Sequence, residues 1–426
     1  MASAIGFVKR LYTNVYPPTP AKSDGALRFG ILGAANIAPM ALIGPARSHP
    51  EVIIAAVAAR DPKKAEAFAK KHGIPIVHKT YEDLIADPSI DCIYNPLPNS
   101  HHYPYTLAAL KAGKHVLLEK PSVSNAKEAH SLFHHPLLQS PNPPVLLEAF
   151  HYAFHPAWST FLSLIGDPAD IHDTEAINTF PAGWFSTDDI RFTYALSGGT
   201  LMDFGAYSVH STRRVFRSEP EDVAEAGYRA LPEGADPLCE EAVSATFRFQ
   251  GGATARVEAD LRARGGYWAP SLTWGWPGFG ERVVMPTFWV RGRARRVGVA
   301  AEGGVEEWVR RVVVMHNYMM PNLYHRIDVV TVTEFRDPAQ RGKVVRTKEE
   351  TEFVKSYKWP DGEGKKGEEW WSTYRYQLEE FVNRVKGREG SGVWIEHEDS
   401  VRQMELIDKT YLKMRLPVRP TSEVLE

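Results

Sequence analysis

Short apolar runs alternate with helix-like stretches through the first third of the chain. The predicted strands are 28–32, 52–59, a short one near 76, 92–95 and 115–118. The predicted helices end near 47, cover 62–71 and 81–86, and end near 112. The run 52–59 is continuously apolar, which is typical of a strand buried on both faces. Strands and helices that alternate over short loops predict an α/β fold with a doubly wound parallel sheet.

The pattern changes from about residue 171. Strands such as 241–250 and 254–261 alternate polar and apolar positions, so one face is expected to be buried and the other available. The polar segment 337–369 predicts an excursion at the surface. A helix, a loop and a second helix from 374 to 419 are expected to close the chain by packing back on the first domain.

Composition narrows the class of protein. With 426 residues, 43% hydrophobic and 24% charged, the chain is globular and long enough for two or three domains. A net charge of -2 argues against a nucleic-acid partner. No apolar run reaches the ~20 residues that span a bilayer, so no membrane association is expected. Cys92 and Cys239 cannot make a disulfide framework, which fits a cytoplasmic protein, and no residue spacing predicts a metal site.

Residues 1–25 are acid-free until Asp24 and carry Lys9 and Arg10. Their apolar piece is too short for a secretory signal. The alternatives are an amphipathic mitochondrial presequence and an N-terminal arm. Sparse Arg and Ser favour the arm, joined to the rest by the proline-rich spacer 16–20.

The first predicted strand leads into a turn that starts at Gly33. Against the dinucleotide fingerprint G-x-G-x-x-G/A, only Gly33 is a glycine, and Ala35 and Ala38 hold the other two places. Asn36 and Ile37 complete the turn. Ala35 puts a methyl group where a pyrophosphate would approach. The alternative is a plain connection between a strand and a helix.

The end of the second strand bears on which dinucleotide would bind. An acid there accepts the ribose hydroxyls of NAD, whereas NADP needs a cation for its 2′-phosphate. Ala59 holds the acid's place and Arg60 follows it. Asp61 before Pro62 has the pattern of a helix N-cap rather than a ribose acid. The sequence therefore favours NADP, bound through Arg60, with NAD as the alternative.

The strand 115–118 ends in Glu119, Lys120 and Pro121. Ligands of open α/β sheets bind outside the carboxyl ends of the strands, so Glu119 and Lys120 are expected to face whatever the Gly33 turn holds. Pro121 restricts the backbone there, and the bond before it can be cis. The alternative is a surface ion pair at the end of a strand.

A second cluster of candidate residues lies in the stretch 198–207, Gly-Gly-Thr-Leu-Met-Asp-Phe-Gly-Ala-Tyr. Asp203 and Tyr207 are four residues apart, so on a helix they share one face. The alternative is that Tyr207 is a core aromatic residue and Asp203 an acid on the helix surface.

Both clusters resemble motifs of the glucose-fructose oxidoreductase / inositol dehydrogenase (Gfo/Idh/MocA) family. The frame Ala-Gly-Lys-His-Val-x-x-Glu-Lys-Pro at 112–121 is similar to its signature, and 198–207 is similar to its Gly-Gly-x-Leu-x-Asp-x-Gly-x-(Tyr/His) motif. The resemblance runs from residue 28 to about 419. It looks most like the branch of NADP-dependent D-xylose 1-dehydrogenases and dimeric dihydrodiol dehydrogenases.

The resemblance implies roles for further residues. It places Leu97, Asn99 and His102 along the nicotinamide ribose, although histidines at a helix start are also commonly cap residues. It marks the stretch 148–156, where Glu148 and His155 are kept and Ala153 stands where arginine is usual. Glu148 and His155 are therefore expected at the substrate.

The resemblance also implies a division of the chain. The expected parts are an N-terminal arm (1–25), an NAD(P)-binding Rossmann domain (26–150) and an α+β domain (151–426). The last has an open, mostly antiparallel sheet and is expected to form a homodimer through it. Trp268, Trp274, Trp276 and Phe279 either line a sugar pocket or bury an interface.

The function that these residues predict is NADP-dependent oxidation of a sugar hydroxyl, with D-xylose oxidised at C1 to a lactone. Tyr207 would take the hydroxyl proton, Lys120 would lower the pKa of Tyr207, and Asp203 would bind sugar hydroxyls or orient Lys120. His155 or Asp203 is the alternative base. Oxidation of a trans-dihydrodiol or another secondary alcohol or carbonyl is the second enzymatic hypothesis. A non-catalytic, nucleotide-sensing regulator is the hypothesis of another class.

Overall fold

The computed structural model describes residues 2–263, 285–299, 304–360 and 364–425. Its first sheet has six parallel strands in the order β3-β2-β1-β4-β5-β6. They are β1 Leu27–Leu32, β2 Val52–Ala58, β3 Ile76–His78, β4 Cys92–Asn95, β5 His115–Leu118 and β6 Leu146–Glu148. Most apolar side chains of β1, β2 and β5 are buried, as expected for strands covered on both faces, and Leu27, Ile53 and Ile54 are partly buried. The predicted doubly wound sheet is confirmed.

The described residues form ten α-helices. They are α1 Ala2–Val15, α2 Gly44–Arg47, α3 Pro62–His72, α4 Tyr81–Ala86, α5 His102–Lys111, α6 Ala126–Phe133, α7 Pro156–Ile165, α8 Ala206–Phe216, α9 Thr373–Val385 and α10 His397–Lys413. Two of them start from π-helical turns, Pro39–Ile43 before α2 and Leu201–Gly205 before α8.

The second sheet is mostly antiparallel and has nine strands in the described part of the chain. They are β7 Ile171–Pro181, β8 Asp222–Ala230, β9 Glu240–Arg248, β10 Thr254–Ala263, β11 Thr287–Gly292, β12 Arg295–Val299, β13 Glu306–His316, β14 Arg326–Asp337 and β15 Lys343–Val354. The order is β15-β14-β13-β11-β7-β10-β9-β8, with β12 beside β13, and only β7 and β10 pair in parallel. Burial alternates along the first half of β10, as its polar and apolar pattern predicts.

One prediction for the second half holds only in part, because the segment is exposed but regular in structure. The segment 337–369 was expected to be a surface excursion, but it contains β15, which pairs with β14 along its whole length. Nearly every residue of β15 is exposed, and the strand lies at the edge of the sheet. A strand wetted on both faces has no alternation of apolar positions, so its polar sequence is typical of a loop.

The closing helices pack back on the first domain, as predicted. Helix α10 packs on α6, and α9 packs on the turn His151–Phe154 and on Pro39–Ile43. The Ala126 amide donates a 2.9 Å hydrogen bond to Asp408 Oδ2 of α10. The arm forms α1, where Asn14 Nδ2 donates to the Trp370 carbonyl at 3.2 Å.

Two further expectations concern membranes and the tryptophan-rich stretch. In the four described ranges, no helix is long and apolar enough to cross a membrane. Trp268, Trp274, Trp276 and Phe279 lie outside the described residues.

Candidate active site

The turn after β1 has the shape that a dinucleotide requires. Gly33 has φ +87°, which favours glycine, and its amide donates to the Ala58 carbonyl at 2.6 Å. A Cβ on Gly33 would lie 3.0 Å from Leu97 Cδ2, so a larger residue would crowd the loop that closes over the turn. Ala35, Asn36 and Ile37 follow at or near the surface. Because β1 lies between β2 and β4, where the strand order reverses, the residues present fit a bound dinucleotide.

The residues after β2 keep the predicted cation available. Asp61 caps α3, with Oδ1 accepting from the amides of Lys63 (2.9 Å) and Lys64 (3.3 Å). Its prediction as an N-cap rather than a ribose acid is confirmed. The Arg60 side chain is exposed at the end of β2, at the place where a 2′-phosphate is recognised in this fold.

The loop after β4 is tied to its neighbours by side chains. Asn99 Nδ2 donates to the Ser197 carbonyl at 2.9 Å, which joins the nucleotide half to the segment that carries Asp203. His102 is buried, with Nδ1 2.8 Å from the Pro121 carbonyl and Nε2 2.8 Å from the Leu97 carbonyl. Burial lowers the pKa of His102 to about 4. Since both ring nitrogens contact backbone, His102 is a brace between two loops and not an exposed cap residue.

Glu119 and Lys120 point in different directions at the end of β5. The bond from Lys120 to Pro121 is cis. Glu119 Oε1 accepts a 2.6 Å hydrogen bond from Tyr94, and Oε2 accepts from the Lys120 amide at 3.3 Å. Burial raises the pKa of Glu119. Glu119 therefore holds the turn after β5 in place, and the Lys120 side chain extends toward the stretch 198–207.

Lys120, Asp203 and Tyr207 meet, as the sequence predicts. Lys120 Nζ lies 2.5 Å from Asp203 Oδ1 and 4.7 Å from the ring centroid of Tyr207. Arg191 Nε donates to Asp203 Oδ2 at 2.7 Å. Burial opposes ionisation of Asp203, but Lys120 and Arg191 outweigh it and hold the pKa of that carboxyl well below its usual range. Asp203 is thus a carboxylate that orients Lys120, and it is unsuited to be the base.

Burial outweighs the lowering of the Tyr207 pKa that was predicted for Lys120. Burial raises the pKa of Tyr207 well above its ordinary value, and Tyr374, Glu119 and Asp203 add to the rise. The Lys120 ammonium does not offset burial, because Asp203 partners it directly. Tyr207 is therefore a phenol at neutral pH.

The partner of the Tyr207 hydroxyl is a histidine that the sequence did not single out. Tyr207 Oη lies 2.9 Å from His151 Nε2, and His151 Nδ1 lies 2.8 Å from Thr373 Oγ1 at the start of α9. Burial and the Lys120 charge lower the pKa of His151 to about 3. His151 belongs to the marked stretch 148–156, but nothing in its spacing links it to Tyr207. Arg191, 12 residues before Asp203, gave no signal either.

Two residues expected at the substrate have structural positions instead. Glu148 is buried beneath the turn after Pro121, where Oε1 accepts from the Ser122 amide at 2.8 Å, and burial raises its pKa to about 7. His155 is fully buried and caps α7, with Nδ1 accepting from the Ala157 amide at 3.1 Å. Among the described residues, the rings that His155 contacts are His325 and Tyr376. His155 is therefore corrected from substrate ligand or base to helix cap, and Glu148 to a support of the Lys120 turn.

Comparison with known proteins agrees with this geometry. The family model for the GFO/IDH/MocA oxidoreductases with an NAD-binding Rossmann fold matches residues 27–136, and the model for the C-terminal domain of that family matches 165–293.

Among curated proteins, D-xylose 1-dehydrogenase (NADP(+)) 2 of Haloferax volcanii is 36% identical over 55% of this chain and 70% of that protein. A trans-1,2-dihydrobenzene-1,2-diol dehydrogenase of Xenopus tropicalis is 33% identical over 48% of this chain and 61% of that protein.

A solved structure shares the fold over nearly the whole length. KijD10, a 3-ketoreductase from Actinomadura kijaniata crystallised with NADP and TDP-benzene, covers 91% of this chain and 97% of its own, at 20% identity and a TM-score of 0.66. With both family models and a relative above 30% identity in agreement, this chain belongs to the GFO/IDH/MocA family and is an NAD(P)-dependent oxidoreductase.

Proposed function

We propose that this protein is an NADP-dependent dehydrogenase that oxidises a sugar hydroxyl, with an aldopentose such as D-xylose oxidised at C1 to the lactone. The observation that carries the proposal is the meeting of Lys120, Asp203 and Tyr207 at the carboxyl end of β5, on the same edge of the parallel sheet as the Gly33 turn after β1. A cation and a phenol at that edge of the sheet suit a hydroxyl that loses a proton while its carbon loses a hydride.

Each residue of the cluster has a separate role. Asp203, held by Arg191, fixes the direction of the Lys120 ammonium, which donates a hydrogen bond to the substrate oxygen. Tyr207 exchanges a proton with the same oxygen. NADP, when bound, supplies the hydride acceptor. The Lys120 and Asp203 side chains are mostly buried, at 11% and 16% exposed, which strengthens the interaction of Lys120 with an oxygen that gains negative charge.

The choice of NADP is supported by Arg60. A guanidinium pairs bidentately with a phosphate group that NAD lacks, and no acid at the end of β2 competes for the ribose. The Haloferax volcanii relative carries NADP(+) in its name, which agrees with this preference.

The second candidate function is interconversion of a trans-dihydrodiol or another secondary alcohol with its carbonyl. The dihydrodiol dehydrogenase relatives favour it. A protonated Tyr207 also suits the reductive direction, because a phenol can donate a proton to a carbonyl oxygen.

A screen of purified protein separates these candidates. Reduction of NADP is followed with pentoses, hexoses and trans-dihydrodiols, and oxidation of NADPH with matching ketones. The proposal predicts the highest kcat/KM with an aldopentose and none with 1,5-anhydroxylitol, which lacks the C1 hydroxyl. A higher kcat/KM with a dihydrodiol or ketone than with every aldose would replace the sugar assignment.

We also propose that two copies associate through the open second sheet. The alternating strands leave one face available, and an isologous dimer would cover it on both copies. Sedimentation equilibrium at micromolar concentration tests this, and a monomer would contradict it.

The two cysteines support a cytoplasmic location. Cys92 and Cys239 are both buried free thiols, which suits a reducing compartment. Fractionation of cells that produce the protein tests the location, and recovery from an oxidising compartment would contradict it.

A further inference from the structure

A chain of three polar side chains runs inward from the candidate substrate site. Tyr207 Oη contacts His151 Nε2 at 2.9 Å, and His151 Nδ1 contacts Thr373 Oγ1 at 2.8 Å. The exposed fractions of Tyr207, His151 and Thr373 are 3%, 2% and 0%. In the described part of the chain, the titratable and charged groups that face His151 are Lys120 from the end of β5, Tyr207 from α8 and Tyr374 from α9. The ring centroid of Tyr374 lies 4.0 Å from that of His151.

Hydrogen-bond satisfaction fixes the direction of this chain. A buried phenol must donate its proton to an acceptor, and within the described residues the acceptor in range of Tyr207 is His151 Nε2. A neutral imidazole accepts at one nitrogen and donates at the other. His151 Nδ1–H therefore donates to Thr373 Oγ1, and Nε2 has its lone pair directed at the Tyr207 hydroxyl.

We infer that His151 takes the phenolic proton of Tyr207 at the moment when Tyr207 takes the proton of the substrate hydroxyl. The inference rests on the proposed function and deepens it. It explains how a phenol can act as a base in the oxidative direction, because the phenolate never has to form. His151 acts through Tyr207 and is a positioning and relay residue.

The bonds balance in one concerted step. The substrate O–H bond breaks as a new Tyr207 O–H bond forms, and the old Tyr207 O–H bond breaks as an N–H bond forms at His151 Nε2. The electron pair of the substrate C–H bond leaves as the hydride of the proposed reaction, and the substrate carbon becomes a carbonyl. The imidazolium keeps its Nδ1–H bond to Thr373. Next to Lys120 it is a strong acid. After the product leaves, it returns its proton to Tyr207 Oη as the phenol gives up the substrate's proton to a solvent water that enters the emptied site, which restores both residues.

His151→Gln tests the relay by kinetics. A glutamine amide at this position can hydrogen-bond the Tyr207 hydroxyl but cannot take its proton. The expected result is a fall in kcat on the order of 10²-fold, with coenzyme affinity unchanged. In mixtures of H₂O and D₂O, the rate should depend on deuterium fraction with curvature in the wild type and linearly in the variant, because the second moving proton is lost.

His325→Gln is the matched control. His325 is also fully buried, with both ring nitrogens hydrogen-bonded, at 2.7 Å to the Pro321 carbonyl and 2.8 Å to the Ser356 amide. The kcat of the His325→Gln variant should stay near that of the wild type. Retention of most of the activity by His151→Gln, together with a curved isotope dependence, would overturn the relay.

A second readout needs no turnover. In protein labelled with ¹⁵N-histidine, the His151 signals are identified by their loss in His151→Gln and should show the Nδ1–H tautomer. Tyr207→Phe should shift the Nε2 signal, because its donor is removed. An Nε2–H tautomer, or an Nε2 signal indifferent to Tyr207→Phe, would overturn the relay. Suppose that none of the tested sugars or diols supports reduction of NADP and none of the ketones supports oxidation of NADPH. The proposed function is then contradicted, and the NMR measurement still decides whether the relay exists.

Discussion

Two short ion pairs flank the same loop of this protein, and they differ in how far their side chains are exposed. We call the partly exposed pair open and the fully buried pair closed. Lys120 pairs with Asp203 at 2.5 Å, with side chains 11% and 16% exposed. Arg419 pairs with Glu240 at 2.7 Å, with both side chains fully buried. The loop between them carries the Gly198–Gly199 pair and leads into Asp203.

In the closed Arg419 pair, every side-chain nitrogen and oxygen has a partner inside the protein. Arg419 Nε donates to the Gly198 carbonyl at 2.5 Å and Nη1 to the Pro417 carbonyl at 3.3 Å. Glu240 Oε1 accepts from the Leu201 amide and from the Tyr411 hydroxyl, each at 2.9 Å. Each side-chain nitrogen and oxygen of this pair has a partner, and neither side chain is exposed, so a ligand cannot reach it and its role is to hold the loop.

The Lys120 ammonium has an N–H donor that is available to a ligand. An ammonium has three donors, and within the described ranges the acceptors for Lys120 are two oxygens of Asp203. A third N–H is left for a substrate oxygen. The two ion pairs therefore have different roles. The Arg419–Glu240 pair fixes the backbone, and the Lys120–Asp203 pair provides a hydrogen-bond donor for the substrate.

The largest expected effect is loss of catalysis without loss of fold. Lys120→Met should lower kcat/KM on the order of 10²–10⁴-fold, because the substrate oxygen loses its cation. The free energy of unfolding should change little, since Arg191 still pairs with Asp203. Lys114→Met at the other end of β5 is the control, because Lys114 donates to the Asp87 and Ile90 carbonyls and should affect stability rather than rate. Full activity in Lys120→Met would reduce this pair to a structural one.

The next expected effect is on stability and not on catalysis. Arg419→Met leaves the Glu240 carboxylate buried without a countercharge and should cost about 3–5 kcal/mol of unfolding free energy, measured by urea denaturation. Adding Glu240→Gln should recover part of this loss, because the uncompensated charge is gone. A stability close to that of the wild type in the single variant would show that the closed pair does not hold the loop.

The smallest effect concerns the coenzyme. Arg60→Ala should lower the ratio of kcat/KM for NADP to that for NAD by roughly 10- to 100-fold, since one charge-assisted contact to the 2′-phosphate is lost. Lys64→Ala, on the exposed face of α3, should move the ratio far less. An unchanged ratio in Arg60→Ala would mean that another residue selects the coenzyme.

The sequence predicted the features that depend on local signals and missed those that depend on contacts between distant residues. Helix α4 and strand β4 lie where their patterns predict them, because continuous apolar runs and caps are local signals. The Gly-Gly motif was visible, but its reason was not: Gly199 has φ +133°, and a Cβ there would lie 2.7 Å from Glu240 Oε1. His151 was missed because Thr373, 222 residues away, and Tyr207, 56 residues away, become its partners only in the folded chain.

The most direct test of the open pair's chemistry is a single-turnover measurement on Tyr207→Phe with saturating NADP and the best sugar from the screen. The expected rate of NADPH formation is on the order of 10²–10⁴-fold below the wild type, because the phenol is the group that exchanges the proton. NADP affinity, measured by fluorescence titration, should stay nearly unchanged, since the phenol is assigned to the substrate oxygen. If Tyr207→Phe forms NADPH at close to the wild-type rate, Tyr207 is a packing residue and the proposed proton transfer is contradicted.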